Sequence, residues 1–173
     1  MKNRELAKLE RDLLFTISGD YTGDILAEYW GTRVVDYLGI PAAKVWTEGP
    51  CYVLALALAK WLGEENVSVK AICENNSGHA FIQIGDQFLD GAGFKTEQEI
   101  KSEWRFCGSE IINYSSVEKR FKGIPEWEKF SGGYHSPEAE KSMVDEIVAH
   151  LDYHLDKEKF LAIALEKEAL LVA

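Results

Sequence analysis

The sequence predicts an α+β fold, with helices at both ends of the chain and, between them, a helix packed on a small antiparallel sheet. Apolar residues recur at helical spacing in residues 2–17 and 137–155. Residues 67–91, in the middle of the chain, include β-branched residues and stretches in which apolar and polar residues alternate, as is typical of strands. A chain of 173 residues that is 46% hydrophobic can bury one core but is short for two. We therefore expect residues 1–173 to form a single domain.

Residues that begin and end helices place the helical elements along the chain. Gly39 is suited to end the second helix, and Pro41 lies just beyond it. Pro50 suits the first position of the third helix, because proline lacks the N–H group that would have no acceptor there. Asp156 is suited to cap the last helix. The predicted helices are residues 2–17, 22–38, 50–62, 137–155 and 157–171.

The predicted sheet is an antiparallel meander. Strands are expected at residues 67–73, 79–84 and 87–91, and Gly85 and Asp86 form the turn between the last two. Residues 110–117 are a candidate for a further strand. The meander follows the third helix directly, so the two are expected to pack together.

Composition and charge exclude several classes of protein. A net charge of -10 repels phosphate backbones and anionic lipid heads, so we expect neither a nucleic-acid partner nor a membrane partner. The charged N-terminal stretch MKNRELAKLERDLLF lacks the apolar core of a signal peptide. The three cysteines are widely spaced and form no CxxC pair, which favours reduced thiols in a cytoplasmic protein. No nucleotide-binding motif occurs, and we expect no cofactor.

Cys51 is a candidate nucleophile, because it lies in the first turn of the third helix. The helix dipole and the unpaired backbone N–H groups of a first turn favour a thiolate, and the same groups can hold an oxyanion. Cys51 shares a helix face with Leu54, Ala55 and Leu58, so its sulfur points toward the packed side. An inert core cysteine would point the same way, so the helix alone leaves both interpretations open.

His79 and Asp90 are predicted to be neighbours in the hairpin. A two-residue turn at Gly85 and Asp86 pairs Ile84 with Gln87, which makes His79 and Asp90 diagonal neighbours on one face of the sheet. A three-residue turn would send them to opposite faces. A carboxylate that orients an imidazole leaves the other ring nitrogen to take a proton from a thiol. Taken singly, a backbone-bonded histidine and a turn-forming aspartate are the simpler interpretations.

The stretch GPCYVLALALAKWL, followed by a strand and then by GHAFIQIGDQFLDGAG, resembles the core of the papain-like cysteine enzyme superfamily, and in particular its transglutaminase-like branch. The similarity covers about residues 46–94. It implies a hydrolase or acyl transferase that acts on an amide or peptide bond through a thioester. Cys51 would be the nucleophile, His79 the base and Asp90 the orienting acid, with a peptide, a protein or a small amide as substrate.

The same resemblance implies a polar side chain before the cysteine that helps to hold the oxyanion. Glutamine is frequent there in the superfamily, whereas this chain has Trp46, Thr47 and Glu48. The Trp46 indole N–H is one candidate for that role; backbone N–H groups alone, or a residue elsewhere, are the others. A carboxylate at Glu48 would oppose an oxyanion.

Other features have simpler interpretations beside their functional ones. His150 and His154, four residues apart with Asp152 and Asp156 nearby, could hold a metal, but a solvated helix face is preferred and no metal site is expected. An aromatic set could line a substrate groove or fill the core: Trp104, Phe106, Trp127, Phe130 and Tyr134. The alternative to an enzyme is an inactive papain-like fold that serves as a protein-binding module or as a small assembly protein.

Overall fold

The computed structural model describes residues 4–17, 25, 46–47, 50–74, 77–122 and 137–171. Within these ranges the α+β class is confirmed, and helices come both before and after the strands along the chain. The helices are α1 (Arg4–Thr16), α2 (Cys51–Leu62), α3 (Glu97–Glu103), α4 (Glu118–Lys122), α5 (Pro137–His154) and α6 (Lys157–Leu171). The strands are β1 (Ser68–Glu74), β2 (Ser77–Ile84), β3 (Gln87–Asp90), β4 (Gly93–Lys95) and β5 (Ile112–Asn113).

The five strands form one antiparallel sheet in the order β4-β3-β2-β1-β5. The turn between β2 and β3 has the predicted two residues, because Ile84 pairs with Gln87. Gly85 takes a φ of 58°, the left-handed value that a tight hairpin turn requires and that glycine adopts without strain. This turn fixes the register of the hairpin, and so decides which side chains share a face.

The sheet separates two cores of different size. Ala80, Ile82 and Ile84 of β2 face the larger core, which contains α2. Phe81 faces the smaller core, together with Ile72 and Phe88 of the neighbouring strands. The smaller core is closed by Ile100 of α3 and by Cys107, the last residue of a short 3-10 helix at Arg105–Cys107. By the alternation of strand residues, His79 faces this smaller core.

Helix α2 is buried on nearly all sides, which explains why its sequence CYVLALALAKWL is apolar around the whole circumference. It packs between the sheet and α5. Trp61 of α2 contacts Phe160 of α6 edge-on, with ring centroids 5.3 Å apart, and its indole N–H donates to Asp152 at 2.8 Å. The helix that carries Cys51 is therefore fixed by tertiary packing along its whole length.

Several predicted elements differ from those observed. Helix α2 begins at Cys51 with Pro50 as its N-cap, because Pro50 has a non-helical ψ of 36°. The candidate strand at residues 110–117 is only Ile112–Asn113, followed by a 3-10 turn at Tyr114–Ser116. Strand β4 and helix α3 were not predicted. The predicted helix at 22–38, apart from residue 25, lies outside the described residues.

The other helical predictions are confirmed at both ends of the chain. Helix α1 falls within the predicted residues 2–17, and α5 and α6 match the predicted helices 137–155 and 157–171 to within about one residue. Asp156 caps α6, since the backbone N–H of Lys159 donates to its side chain at 3.0 Å. Across the described ranges, each helix is too short or too polar to cross a membrane.

Candidate active site

Cys51 is the first residue of α2. The backbone N–H groups of Val53 and Leu54 donate to the carbonyl of Pro50 at 3.0 and 3.2 Å, while the N–H of Cys51 itself precedes any acceptor within the helix. The residue is 5% exposed and belongs to the larger core, so the prediction that its side chain turns toward the packed side is confirmed. A buried sulfur at a helix start combines the dipole field with a low local dielectric.

His79 and Asp90 form the predicted side-chain hydrogen bond. Nε2 of His79 donates to Oδ2 of Asp90 at 2.9 Å, and the two residues are 0% and 2% exposed. The register Ile82 with Leu89 and Ile84 with Gln87 makes this pair diagonal neighbours, as the two-residue turn requires. The predicted juxtaposition of histidine and aspartate is therefore confirmed.

The second ring nitrogen of His79 has no hydrogen-bond partner in the part of the chain that the structure describes. The Cys51 side chain nevertheless interacts with the ring and affects its pKa. Burial by itself lowers the pKa of His79, but the hydrogen bond to Asp90 and the interaction with the Cys51 sulfur outweigh it and raise the pKa to about 9. With a pKa of about 9 the imidazole is protonated at neutral pH, and the Cys51 side chain contributes to that raised value.

Cys51 and the His79–Asp90 pair lie on opposite faces of the sheet. Cys51 belongs to the core on the α2 side, whereas His79 contacts Phe81 on the opposite face, with ring centroids 5.6 Å apart. Strand β2 starts and strand β3 finishes at the same end of the sheet. Gly91, directly after Asp90, packs against Leu54 of α2. The thiol and the imidazole can therefore meet where α2 begins, around the ends of these two strands.

Asp90 is held by two further donors. The Nζ atom of Lys95 lies 2.8 Å from the same Oδ2 oxygen, and the backbone N–H of Ala92 donates to Oδ1 at 2.8 Å. Burial favours the neutral acid, but His79 and Lys95 outweigh it and lower the pKa of Asp90. Lys95 also contacts Glu103 at 2.6 Å. Sequence reasoning missed Lys95, whose strand is three residues long and carries no periodic signal.

Trp104 covers the His79 ring. The two rings are stacked, with centroids 4.1 Å apart and an interplanar angle of 14°. The Trp104 indole N–H is buried and donates to no group within the described ranges. Phe106, which is 66% exposed, lies 5.7 Å from Trp104, centroid to centroid. Of the predicted aromatic set, these two lie beside the candidate site, and the other three lie outside the described residues.

The structure does not support Trp46 as an oxyanion donor. Its indole N–H already donates to the carbonyl of Ile17 at 2.9 Å, and the side chain is fully buried. The Cβ of Trp46 also packs against Gly91 so closely that a side chain at residue 91 would collide with it. Trp46 therefore acts as packing beside the turn that follows Asp90, and Glu48 lies outside the described residues.

In the histidine pair of α5, His150 is partly buried and His154 is exposed. Nε2 of His150 donates to the carbonyl of Thr16 at 3.0 Å, and its ring lies 4.5 Å from that of His154. Burial and the neighbouring His154 lower the pKa of His150, against the effect of the Thr16 carbonyl. Among the described residues, no group of three or more potential ligands could hold a metal ion.

Comparisons with protein-family models, with curated proteins and with solved structures each give no match to this chain. The chemistry therefore has to be argued from the site itself. That site brings together a sulfur at a helix start, a protonated imidazole and a carboxylate, all shielded from water. This combination is suited to nucleophilic catalysis by a thiolate.

Proposed function

We propose that this protein is a cytoplasmic cysteine hydrolase or acyl transferase of the papain-like, transglutaminase-like kind. It would act on an amide or peptide bond with Cys51 as nucleophile, His79 as general acid and base, and Asp90 as the orienting carboxylate. One observation carries the proposal. Asp90 accepts a hydrogen bond from one nitrogen of the fully buried His79 imidazole, and the other nitrogen has no hydrogen-bond partner among the described residues. The Cys51 side chain interacts with the same ring and helps to raise its pKa.

The proposed reaction needs only groups that are present. The Cys51 thiolate adds to the carbonyl carbon, and the carbonyl oxygen takes the negative charge. When this intermediate collapses, the bond to the leaving group breaks, the leaving group takes the proton of the His79 imidazolium, and the acyl group remains on the sulfur as a thioester. Water or an acceptor amine then attacks the thioester and gives its proton to His79. The bond between the acyl carbon and the sulfur breaks, the acyl group leaves on the oxygen of the water or the nitrogen of the amine, and the Cys51 thiolate and His79 imidazolium are restored.

Asp90 supports both halves of this cycle. Its carboxylate stabilises the imidazolium and fixes the ring so that the second nitrogen faces the reacting groups. Lys95 shares the carboxylate and keeps it ionised, since the lysine contributes to the low pKa of Asp90. The resemblance of residues 46–94 to the superfamily supports the same assignment of roles.

The proposal is tested by acylation with p-nitrophenyl acetate, an activated ester that needs no specific recognition. We expect a rapid release of one equivalent of p-nitrophenolate, and a protein with one acetyl group on Cys51 that hydroxylamine removes. Cys51→Ser should abolish the rapid phase. Cys107→Ser is the matched control: Cys107 is also buried, and burial raises the pKa of its thiol, so its loss should leave the rapid phase unchanged.

A second candidate function is a non-catalytic binding module. The burial of Cys51, His79 and Asp90 favours it, since a substrate would have to reach a sulfur that is 5% exposed. On this alternative the three thiols, Cys51, Cys73 and Cys107, should react slowly and at similar rates with iodoacetamide at pH 6 to 7. Faster labelling of Cys51, slowed by His79→Ala, contradicts the binding module and supports the enzyme.

A further inference from the structure

We propose that Lys95 and Glu103 are positioning residues for the reaction at Cys51. Glu103 holds the Lys95 ammonium group, and Lys95 weakens the hold of Asp90 on the protonated imidazole of His79. The inference rests on the proposed function and adds two residues that act through Asp90. It is carried by four side chains joined in a row by three short polar contacts.

The row of contacts leads from the buried imidazole to the protein surface. Oδ2 of Asp90 lies 2.9 Å from Nε2 of His79 and 2.8 Å from Nζ of Lys95. The same Nζ atom lies 2.6 Å from Oε2 of Glu103. The side chains of His79, Asp90, Lys95 and Glu103 are 0%, 1%, 13% and 47% exposed. A carboxylate in contact with solvent is therefore linked to a ring that is shielded from it.

A single oxygen of Asp90 serves two cations. The other oxygen, Oδ1, already accepts from the backbone N–H of Ala92 at 2.8 Å. The shared contacts place Nζ of Lys95 within about 6 Å of Nε2 of His79, a distance at which two positive charges in a poorly solvated site repel strongly. Lys95 therefore opposes the protonation of His79 that Asp90 favours.

Glu103 determines how much of the Lys95 charge acts on the imidazole. Burial by itself lowers the pKa of Lys95, but Asp90 and Glu103 outweigh it and raise the pKa. The lysine therefore keeps its charge over the pH range in which His79 titrates. The Glu103 carboxylate offsets part of this charge, so its removal should increase the repulsion between Lys95 and the imidazolium. Lys95 and Glu103 thus have opposite effects on the proton of His79.

The other elements packed around the imidazole contribute groups of a different kind. Cys51 of α2 helps to raise the pKa of His79. Burial raises the pKa of the Cys107 thiol, so this thiol is neutral at pH 7. Arg105 of the same 3-10 helix is exposed, and exposed charges are screened by salt. On β1, the residue that pairs with His79 is the apolar Ile72. The ammonium group that shares the carboxylate is therefore the cation whose removal should change the titration most.

The effect of Lys95 is useful in the second half of the proposed reaction. Hydrolysis of the thioester needs a neutral imidazole that takes a proton from water, and such a base works best when its pKa is near the working pH. Since Asp90 favours the protonated ring, a cation that shares the carboxylate favours the neutral one. We therefore expect Lys95 to speed deacylation at neutral pH without touching the substrate.

The test follows the proton of His79 by NMR, from the chemical shift of its ring Cε1–H group as a function of pH. The resonance is assigned by its absence in His79→Gln. In Lys95→Met we expect the midpoint to rise by about 1 pH unit, and in Glu103→Gln we expect it to fall by about 0.3 unit, since Glu103 is farther away and partly solvated. The pH profile for hydrolysis of acetyl-Cys51 should shift in the same two directions. A purely structural role for the two residues would not produce shifts of opposite sign.

The matched control for Glu103→Gln is Glu97→Gln on the same helix. Glu97 is also exposed and pairs with Lys101 at 2.6 Å, so its loss should leave the midpoint unchanged. Lys95→Arg keeps the positive charge and should keep the midpoint close to its original value. If Lys95→Met disturbs folding, the exposed Glu103→Gln still decides the question.

An unchanged or lowered midpoint in Lys95→Met would overturn the inference and leave the proposed function intact. Equal shifts in Glu103→Gln and Glu97→Gln would overturn it too, because they would reflect surface charge in general. Absence of Cys51-dependent acetylation in the unsubstituted protein would overturn the proposed function, and the positioning role with it, whatever the titration shows.

Discussion

The two faces of the sheet are built from alternate residues of the same strands, yet they have different physical characters. On the α2 side, Ala80, Ile82 and Leu89 are buried among apolar side chains. On the other side, His79 and Asp90 are buried just as deeply, beside Phe81. The first face stabilises the folded state roughly in proportion to the apolar area that it buries. The second holds charged groups, which are tolerated only while each has its partners.

The apolar face mainly stabilises the fold, whereas the opposite face holds the candidate reactive groups His79 and Asp90. Loss of a methylene group on the α2 face leaves a cavity and costs a graded amount of stability. Loss of one polar partner on the opposite face leaves another charge buried without compensation, which costs a large amount at once. The two faces should therefore respond differently to substitution and to pH.

The largest effect is expected from Asp90→Ala. This change leaves the His79 imidazolium and Lys95 without their shared acceptor, at distances that are now 2.9 and 2.8 Å. We expect the free energy of unfolding, measured in urea, to fall by about 4 kcal/mol, and alkylation of Cys51 to slow. Asp145→Ala is the control, because it breaks two ion pairs with Lys60 and Lys141 that are solvent-exposed. Equal losses in the two variants would contradict the contrast between buried and exposed pairs.

The next effect tests the apolar face by itself. Leu58→Ala removes a fully buried side chain of α2 from the larger core. The expected loss is about 3 kcal/mol in the free energy of unfolding. The ratio of Cys51 to Cys107 alkylation should stay at its original value under native conditions. A variant that lost this ratio together with stability would show that the two faces are coupled.

The third effect is a dependence of stability on pH that belongs to the polar face. His79 has a pKa of about 9 in the folded protein and near 6.5 when unfolded. Its contribution is therefore fully present below pH 6.5 and is lost as the pH rises through 9. We expect the free energy of unfolding to fall by about 2 kcal/mol between pH 7 and 9. In His79→Gln this part of the pH dependence should disappear; an unaltered slope would assign it to other groups.

The smallest effect concerns the helix that carries Trp104. Thr96→Ala removes the side-chain acceptor for the backbone N–H of Glu99, at 3.2 Å, and with it the capping box of α3. We expect a loss of about 1 kcal/mol in the free energy of unfolding. Thr96→Ser keeps the acceptor and should restore most of it. A loss of several kcal/mol, or none, would show that α3 is not held by its cap.

The hairpin was the most predictable part of the site. A two-residue turn containing Gly85 fixes the pairing locally, so His79 and Asp90 could be predicted to meet from the sequence alone. Cys51 at the start of a helix was equally visible, because Gly49 and Pro50 mark that start. That His79 and Asp90 face the smaller core, away from the apolar side of α2, was not predicted, since a strand pattern does not say which face a helix covers.

The remaining parts depend on contacts between distant segments. The acceptor of Trp46 is a carbonyl 29 residues earlier, and no local pattern predicts that bond. Lys95 and Trp104 reach the site because β4 pairs with β3 within the sheet and α3, which ends before Trp104, contacts β3. A signal for α3 was present, since Thr96 followed three residues later by Glu99 is a capping box. The placement of Trp104 over the imidazole was not predictable even so.

The turn after Asp90 joins the site to the beginning of the chain. Gly91 packs against Trp46, and the Trp46 indole donates to the carbonyl of Ile17, the residue that follows α1. Glu10 of α1 accepts from the backbone N–H of Phe94 at 2.8 Å. A shortened chain that starts at α2 would keep Cys51, His79 and Asp90 but lose the contacts that support the turn after Asp90. In the intact chain, residues of α1 that do not belong to the candidate site therefore contribute to the orientation of the imidazole.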